Sequence, residues 1–184
     1  MGKYKNNFDD QLILVDKSDQ VLGYQAKDKC HESNGILHRA FSIFLFNDQK
    51  QLLLQQRSKE KLLWPLFWSN SVCSHPRYGE SMEKAAKRRL QEELNTKTQL
   101  HYLFKFDYQV QFKDIGAENE LCYVYIGKVN NPIVINKNEI ADFKYIDYRE
   151  ISSEINKQSN CFTPWFKIEW ERIEKEYLPV IMKL

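Results

Sequence analysis

The sequence predicts a single α+β domain over residues 1–184, with a mixed β-sheet core flanked by a few helices. The chain has 184 residues, of which 42% are hydrophobic and 14% aromatic, enough for one substantial core. Several short apolar segments have the length and alternation of strands, and two longer segments repeat apolar residues at helical spacing. No repeat, linker or low-complexity stretch divides the chain into further domains.

The first strands follow from apolar segments that are separated by polar turns. Residues 11–16 form the first expected strand, and a KSDQ turn leads to a return strand at 21–24. Residues 40–47 contain FSIFLF, which is apolar on both faces, so this strand is expected at the centre of the sheet. An NDQK turn predicts a hairpin with a strand at 52–57, and the aromatic segment LLWPLFWSNSVCSHP after it is expected to be a loop.

Two helices are predicted, one in the middle of the chain and one near its end. The first covers residues 80–94, and the second begins at Thr163 and Pro164, which suit an N-cap and a first helical turn. Each helix has one apolar stripe, formed by Met82, Ala86, Leu90 and Leu94 in the first and by Phe166, Trp170, Ile173 and Tyr177 in the second.

The strands between these helices complete the expected sheet. Residues 103–112 alternate, with five large side chains on one face, and 120–129 and 143–146 are further apolar strands. The five side chains on the shared face are Phe104, Phe106, Tyr108, Val110 and Phe112.

The overall composition argues against several classes of protein. The net charge is only +2, with 27 Lys and Arg scattered among 25 acidic residues, so nucleic acid is not an expected partner. No apolar run reaches membrane-spanning length, and the polar N-terminus MGKYKNNFDD has no signal-peptide core. The four cysteines form no CxxC pair, which favours reduced thiols in a cytoplasmic protein.

A group of histidines and acids indicates a metal site. Glu118 and Glu120 are two residues apart in a strand, so their carboxylates project side by side and repel unless they share a proton or a cation. His31, His38 and His75 could complete a mixed nitrogen and oxygen shell around such a cation. Because Cys73, a possible acid or base, lies two residues before His75, these segments suggest an enzyme.

Four segments in order resemble the type I isopentenyl-diphosphate isomerases, which have a Nudix-like fold. They are the two histidines and AFS of residues 31–42, NSVCSHP at 70–76, ENE at 118–120 and TPW at 163–165. The resemblance extends from about Gln11 to Trp165, and four separate motifs in the same order make a chance match improbable.

The segment ESMEKAAKRRLQEEL of the first predicted helix is similar to the helix of a Nudix box, with three departures. Ser74 occupies the position of the first Gly, Arg89 replaces an acid, and Asn95 replaces the closing Gly. These losses argue against diphosphate hydrolysis and agree with the isomerase branch, although that branch usually has Gly at the position of Ser74.

The resemblance implies an intramolecular proton exchange that converts isopentenyl diphosphate to dimethylallyl diphosphate through a carbocation. It implies that Cys73 is one acid/base group and that Glu120, supported by Tyr108, is the other. It further implies that one Zn²⁺ or Mn²⁺ is bound tightly by five ligands: His31, His38, His75, Glu118 and Glu120.

The resemblance also implies how a small diphosphate substrate is held, in a protein that works as a monomer. Mg²⁺ would bind the diphosphate together with Glu93 and the backbone carbonyl of Cys73. Trp165 would place its indole face beside the hydrocarbon part and stabilise a cation there. The basic residues that would bind the diphosphate are Lys27, Arg57, Lys61 and Arg89.

Without the resemblance, simpler interpretations of these residues stay open. An isolated cysteine is usually a small buried hydrophobe, Tyr108 shares a core face, and Arg89 with Glu93 fits a surface ion pair. A Nudix hydrolase acting on a nucleoside diphosphate derivative is the main alternative function. An inactive binding or scaffold domain is a third, and it predicts the loss of some of these catalytic or metal-binding residues.

Overall fold

A computed structural model describes residues 11–184. The polar N-terminus MGKYKNNFDD therefore lies outside the described residues, and a single domain over 1–184 stays a prediction. Nine strands of the described part form one sheet: β1 Gln11–Val15, β2 Val21–Ala26, β3 His38–Phe46, β4 Gln51–Arg57, β5 Trp68–Ser69, β6 Val72–Ser74, β7 Leu100–Phe112, β8 Gly116–Lys128 and β9 Ile140–Asp147. The helices are α1 Lys27–His31, α2 Met82–Leu94, α3 Ile151–Lys157, α4 Pro164–Glu176 and α5 Leu178–Lys183, with a 3-10 turn at Ser159–Cys161.

Strand β3 is the centre of the sheet, as its two apolar faces predicted. It runs parallel to β8 from His38 opposite Glu120 to Phe46 opposite Lys128, and it is antiparallel to β1, β4 and β6. A strand covered on both faces cannot alternate between apolar and polar residues, which explains the FSIFLF run. The parallel register places His38 beside Glu120, although these residues are far apart in the sequence.

The predicted hairpin between β3 and β4 forms only next to its turn. The two strands pair at Phe46 and Leu52, after which β4 pairs with β9 and β5 instead. Ser71 lies in the gap, where its hydroxyl accepts a hydrogen bond from the Leu45 amide at 2.8 Å and donates one to the Leu53 carbonyl at 2.6 Å. These bonds satisfy buried backbone groups that a continuous ladder would have paired.

The aromatic segment predicted as a loop contains the short strands β5 and β6. Asn70 lies between them, and its side-chain amide donates hydrogen bonds to the carbonyls of Ile43 and Val72. Strands of two and three residues are too short to show a periodic pattern, so the sequence could not reveal them.

Helix α2 begins two residues later than predicted, at Met82, with Ser81 as its N-cap. Ala86, Leu90 and Leu94 of the predicted stripe are fully buried. The helix ends at Leu94, and its C-cap Asn95 has a left-handed φ of 50°. Asparagine tolerates this conformation better than most residues, so it can replace the glycine of a Nudix box here.

Strands β7 and β8 are longer than predicted and form an antiparallel ribbon that carries part of the site. The predicted alternation of β7 is confirmed, since Phe104, Tyr108 and Phe112 are buried and the residues between them are more exposed. The short helices α1 and α3 were not predicted. Each is seven residues or fewer and buries only one or two side chains, which leaves no helical period to recognise.

Helix α4 begins where Thr163 and Pro164 predicted, but the Thr163 hydroxyl does not cap it. That hydroxyl lies 2.9 Å from the Ser69 hydroxyl, and the Thr163 amide donates to the Trp68 carbonyl. These bonds fix the start of α4 to the short strand β5. Tyr177 lies just beyond the end of α4, and α5 follows it. In residues 11–184 no helix has the length and apolar character needed to cross a membrane.

Candidate active site

A cavity of about 780 Å³ opens at one end of the sheet, and it collects most of the predicted site residues. The ten that line it together with Trp165 are Lys27, His31, Arg57, Lys61, Cys73, His75, Arg89, Tyr108, Glu118 and Glu120. His38 lies just behind this wall, fully buried. Residues from α1, β3, β6, β7, β8 and α4 therefore meet in one place, which their sequence positions do not reveal.

The structure brings together the five predicted metal ligands. Their ligand atoms all lie within 4.8 Å of one another, in the group His31, His38, His75, Glu118 and Glu120. Gly116 allows α1 to approach β8, because a side chain there would collide with the His31 carbonyl oxygen. The group is compatible with a divalent metal, and five ligands leave room for another donor in an octahedral shell.

Hydrogen bonds orient two of the imidazoles toward the centre of this group. The Nδ1 atoms of His31 and His38 donate to the carbonyls of Lys27 at 2.6 Å and Ile36 at 2.7 Å. Their Nε2 atoms are then left with lone pairs that face the carboxylates, which is the usual arrangement of metal-binding histidines.

Buried atoms without partners also fit a cation at the centre. Among the described residues, His38 Nε2 and Glu118 Oε2 are buried without a hydrogen bond. His31 Nε2 lies 2.9 Å from Glu118 Oε2, so these two atoms face the same space at the centre of the group. Buried polar atoms are rarely left unsatisfied, and a metal ion would satisfy both.

The protonation states of two histidines in this group suit metal binding. Burial and the charge of His31 lower the pKa of His38 to about 4. Burial and the charge of His38 likewise lower the pKa of His75 well below its usual value. Both rings are therefore neutral at pH 7, as metal ligands must be. Burial and the adjacent Glu118 carboxylate raise the pKa of Glu120, which shows that the two acids repel each other without a cation.

Cys73 lies on β6 at the cavity wall, surrounded by polar groups. Its Sγ donates to Asn70 Oδ1 at 2.6 Å and accepts from Trp165 Nε1 at 3.2 Å. The Ser69 and Ser42 hydroxyls lie 3.6 and 3.8 Å from the sulfur. Burial and the nearby Glu169 raise the pKa of the Cys73 thiol to about 12, so Cys73 is a neutral thiol with a proton to donate at pH 7.

Tyr108 and Glu120 form a directly bonded pair on the same cavity. They are register partners on β7 and β8, and the Tyr108 hydroxyl donates to Glu120 Oε2 at 2.6 Å. Burial and the Glu120 carboxylate raise the pKa of Tyr108 well above its usual value, so the phenol keeps its proton. The Trp165 ring lies 6.3 Å from the Tyr108 ring and contacts the Cys73 sulfur through its indole nitrogen. Trp165 thus connects the two predicted acid/base groups.

The four predicted basic residues all face the cavity, and three of them have internal partners. Arg57 donates to the carbonyls of Leu63 and Trp64, and its guanidinium carbon lies 5.2 Å from the centre of the Trp165 ring. Lys61 and Arg89 both pair with Glu139, the second at 3.1 Å. Sequence reasoning missed Glu139, because a single acid before a strand resembles any surface residue.

Glu93, the predicted magnesium ligand, is buried beneath Arg89 and does not line the cavity. Its Oε1 accepts a hydrogen bond from Arg89 Nε at 2.9 Å, and burial raises its pKa. The ion pair is therefore internal, in contrast to the surface pair that helical spacing alone would suggest. The magnesium role of Glu93 stays a prediction.

Comparison with known proteins places this site in a family. Residues 36–166 match the NUDIX domain. Isopentenyl-diphosphate Delta-isomerase 1 of Photorhabdus laumondii is 39% identical over 166 residues, covering 89% of this chain and 94% of the relative. The chain belongs to the isopentenyl-diphosphate isomerase family.

A second relative supports the assignment to this family. Isopentenyl-diphosphate Delta-isomerase of Serratia proteamaculans is also 39% identical, with 86% of this chain and 88% of the relative covered. The predicted resemblance to the isomerases is thereby confirmed.

Solved structures support the fold. A crystal structure from Deinococcus radiodurans superposes with a TM-score of 0.66 at 25% identity, over 80% of this chain and 89% of that chain. The MutT protein of Methanosarcina mazei gives a TM-score of 0.64 at 14% identity, over 77% and 96% of the two chains. These likenesses confirm the predicted α+β, Nudix-like fold, and the second concerns the fold alone.

Proposed function

We propose that this protein interconverts isopentenyl diphosphate and dimethylallyl diphosphate by protonation and deprotonation. The observation that carries the proposal is the meeting of Cys73 and the Tyr108–Glu120 pair on one cavity, connected by Trp165. In the forward direction one group adds a proton to the terminal alkene carbon, and the other removes a proton from C2. The double bond moves while the number of protons stays the same.

Cys73 and the Tyr108–Glu120 pair serve as the two proton-exchanging groups. The Cys73 thiol is neutral at pH 7, so it can give a proton and later recover one. The Tyr108 hydroxyl, hydrogen-bonded to Glu120, can pass a proton between the cavity and that carboxylate. Because the reaction is reversible, each group donates in one direction and accepts in the other.

Trp165 stabilises the cationic intermediate between the two proton transfers. Its indole is 3% exposed, so water does not compete for its face. A desolvated cation over an indole face is stabilised by about 2 kcal/mol. Each 1.36 kcal/mol of barrier is a factor of ten in rate, so this contact raises the rate more than tenfold.

The five-residue group would hold one divalent cation, Zn²⁺ or Mn²⁺. Such an ion supplies the positive charge that keeps Glu118 and Glu120 together as carboxylates. The chain itself fixes the orientation of the His31 and His38 imidazoles through the Lys27 and Ile36 carbonyls. Glu120 would then belong to both the metal group and the proton-exchanging pair.

The diphosphate is bound by Lys27, Arg57, Lys61 and Arg89, with Mg²⁺ as its counter-ion. These four side chains line the cavity, and the guanidinium groups suit bidentate contacts with phosphate oxygens. Mg²⁺ usually keeps several waters and binds through few protein ligands. Glu93 and the Cys73 backbone carbonyl are the ligands we propose.

We further propose that the enzyme acts as a cytoplasmic monomer whose only partner is the small diphosphate. Residues of one chain line the whole cavity, so a second copy is not needed to complete it. All four cysteines are unpaired, which suits a reducing compartment. Light scattering on the purified protein would test the monomer, and a dimer that loses activity on dilution would contradict it.

The test of the proposed function is an isomerisation assay in deuterated water. Purified protein is incubated with isopentenyl diphosphate and Mg²⁺, and the allylic product is followed by NMR. Deuterium-labelled dimethylallyl diphosphate is the expected product, because the added proton comes from a group that exchanges with solvent. Absence of conversion, with phosphate released from nucleotide substrates, would support the hydrolase alternative instead.

A further inference from the structure

A small polar group lies in the core behind Cys73, and its centre is the carboxyl of Glu169. Glu169 is on α4 and is fully buried. It follows Trp165 by four residues, so both side chains project from the same face of α4 toward the sheet. It does not line the cavity and so does not contact a bound substrate.

Glu169 is connected to Cys73 through one intervening side chain. Ser42 is hydrogen-bonded to the Glu169 carboxyl, and its Oγ lies 3.8 Å from Cys73 Sγ. Ser42 and Cys73 are register partners on β3 and β6, so the sheet itself holds them together. Cys122 also belongs to the group, with its Sγ 3.5 Å from both Ser42 Oγ and Glu169 Oε1.

Stability does not explain a glutamate at this position. No ion pair found in residues 11–184 includes Glu169, and its Oε2 is buried without a hydrogen bond. An unsatisfied buried polar atom costs about 1–3 kcal/mol, and an apolar side chain of similar size would avoid this cost. A residue that destabilises the core beside a reactive thiol points to a role in function.

We propose that Glu169 is a positioning residue for the Cys73 thiol and acts through the Ser42 hydroxyl. The inference rests on the proposed function, because it assumes that Cys73 exchanges protons with substrate. Ser42 has one hydroxyl proton, and donating it to Glu169 keeps it away from the Cys73 sulfur. Without Glu169, the Ser42 hydroxyl would turn and donate to the sulfur, occupying the lone pair that must exchange protons with substrate.

Variants of Glu169 test this role by separating kcat from KM. Glu169→Met removes the acceptor while keeping the length of the side chain, and we expect kcat to fall about tenfold with KM unchanged. Glu169→Gln keeps an acceptor oxygen and should retain kcat. Because burial raises the pKa of Glu169 to about 8, the native carboxyl is neutral at pH 7, and glutamine is its close isostere. Glu171→Gln, at an exposed position of the same helix, is the matched control.

A second substitution tests the path through Ser42. If Glu169 acts through Ser42, adding Ser42→Ala to Glu169→Met should restore kcat, because the hydroxyl that would donate to the Cys73 sulfur is gone. Losses that multiply in the double variant would show independent effects and overturn the proposed path. Equal kcat for wild type and Glu169→Met, or a Glu169→Gln variant as impaired as Glu169→Met, would overturn the positioning role.

A measurement without substrate keeps this inference separate from the proposed function. Site-resolved alkylation of Cys73 should become severalfold faster in Glu169→Met, because a donating Ser42 hydroxyl stabilises the thiolate. The exposed Cys161 is the internal control and should keep its rate. An unchanged rate of Cys73 alkylation in Glu169→Met would contradict the positioning role, even if the protein is an active isomerase. Wild-type protein that does not convert isopentenyl diphosphate would contradict only the proposed function.

Discussion

At the scale of single residues, the site depends on groups whose ionisation the protein shifts strongly. Cys73 is held as a thiol, Tyr108 as a phenol, and His38 and His75 as neutral rings, each mainly by burial. Motifs in the sequence pointed to Cys73, His38 and His75, whereas Tyr108 was implied only by the family resemblance. The sequence could not show their protonation states, because burial and neighbouring charges exist only in the folded chain.

Replacing the Cys73 thiol should abolish turnover without harming the fold. We expect kcat of Cys73→Ser to fall about a thousandfold, since a positioned acid/base group contributes about 10²–10⁴. Metal content by elemental analysis and the circular dichroism spectrum should stay unchanged. Cys161→Ser, at an exposed cysteine, is the matched control and should keep full activity. Substantial activity in Cys73→Ser would exclude the role of the thiol.

Neutralising the paired acids should prevent the tight binding of a divalent metal that we propose for this group. Glu118→Gln with Glu120→Gln removes both negative charges from the five-ligand group. We expect elemental analysis of the purified variant to find almost no Zn²⁺ or Mn²⁺. Glu83→Gln, an exposed acid on α2, controls for the change in total charge. Retention of the metal in the double variant would place the metal site elsewhere.

At the scale of secondary-structure elements, the site depends on the divergence of β3 and β4. The gap between them is filled by Asn70 and Ser71, which leads the chain directly into β6 and Cys73. The sequence predicted a simple hairpin and a loop here. Local turn signals describe only neighbouring residues, whereas the pairing of β4 with β9 is a long-range contact.

Removing the Ser71 hydroxyl should destabilise this connection. Ser71→Ala leaves the Leu45 amide and the Leu53 carbonyl buried without partners. We expect the free energy of unfolding to fall by about 2–3 kcal/mol, measured by urea denaturation. Ser153→Ala, at an exposed position of α3, should change it by less than about 0.5 kcal/mol. Equal stability of the two variants would mean that other groups form hydrogen bonds with the Leu45 amide and the Leu53 carbonyl.

At the scale of the whole molecule, one cavity draws residues from most of the sheet and from α1, α2 and α4. One hydrophobic cluster of the core includes Tyr108 and Trp165, which line the cavity, so buried polar groups near the site affect global stability. Glu169 is the clearest example, since it has no charged partner in the described part of the chain. Because its buried carboxyl is stable only while it is neutral, the free energy of unfolding depends on pH.

Glu169 should make the protein less stable as pH rises. Its folded pKa is raised to about 8, above the ordinary 4.5, so its contribution is complete below pH 4.5 and is lost as pH rises toward 8. Glu169→Gln cannot ionise, so its unfolding free energy relative to wild type should increase over this window. At pH 7 the unfolding free energy of Glu169→Gln should exceed that of wild type by at most about 3 kcal/mol. Parallel pH profiles of the two proteins would show that Glu169 does not titrate this way.

The sequence by itself determined the family and the central strand, and it predicted residues that line the cavity. Motif order identified Cys73 and the five metal-binding candidates, and apolar patterns identified β3, β7, α2 and α4. These signals are local, because each depends on residues that are close together in the sequence. Only the tertiary structure decided that Glu139 joins Lys61 and Arg89, that Glu93 is internal, and that Glu169 lies behind Cys73. Such contacts depend on strand register and helix placement, because burial and distance arise only when distant segments pack together.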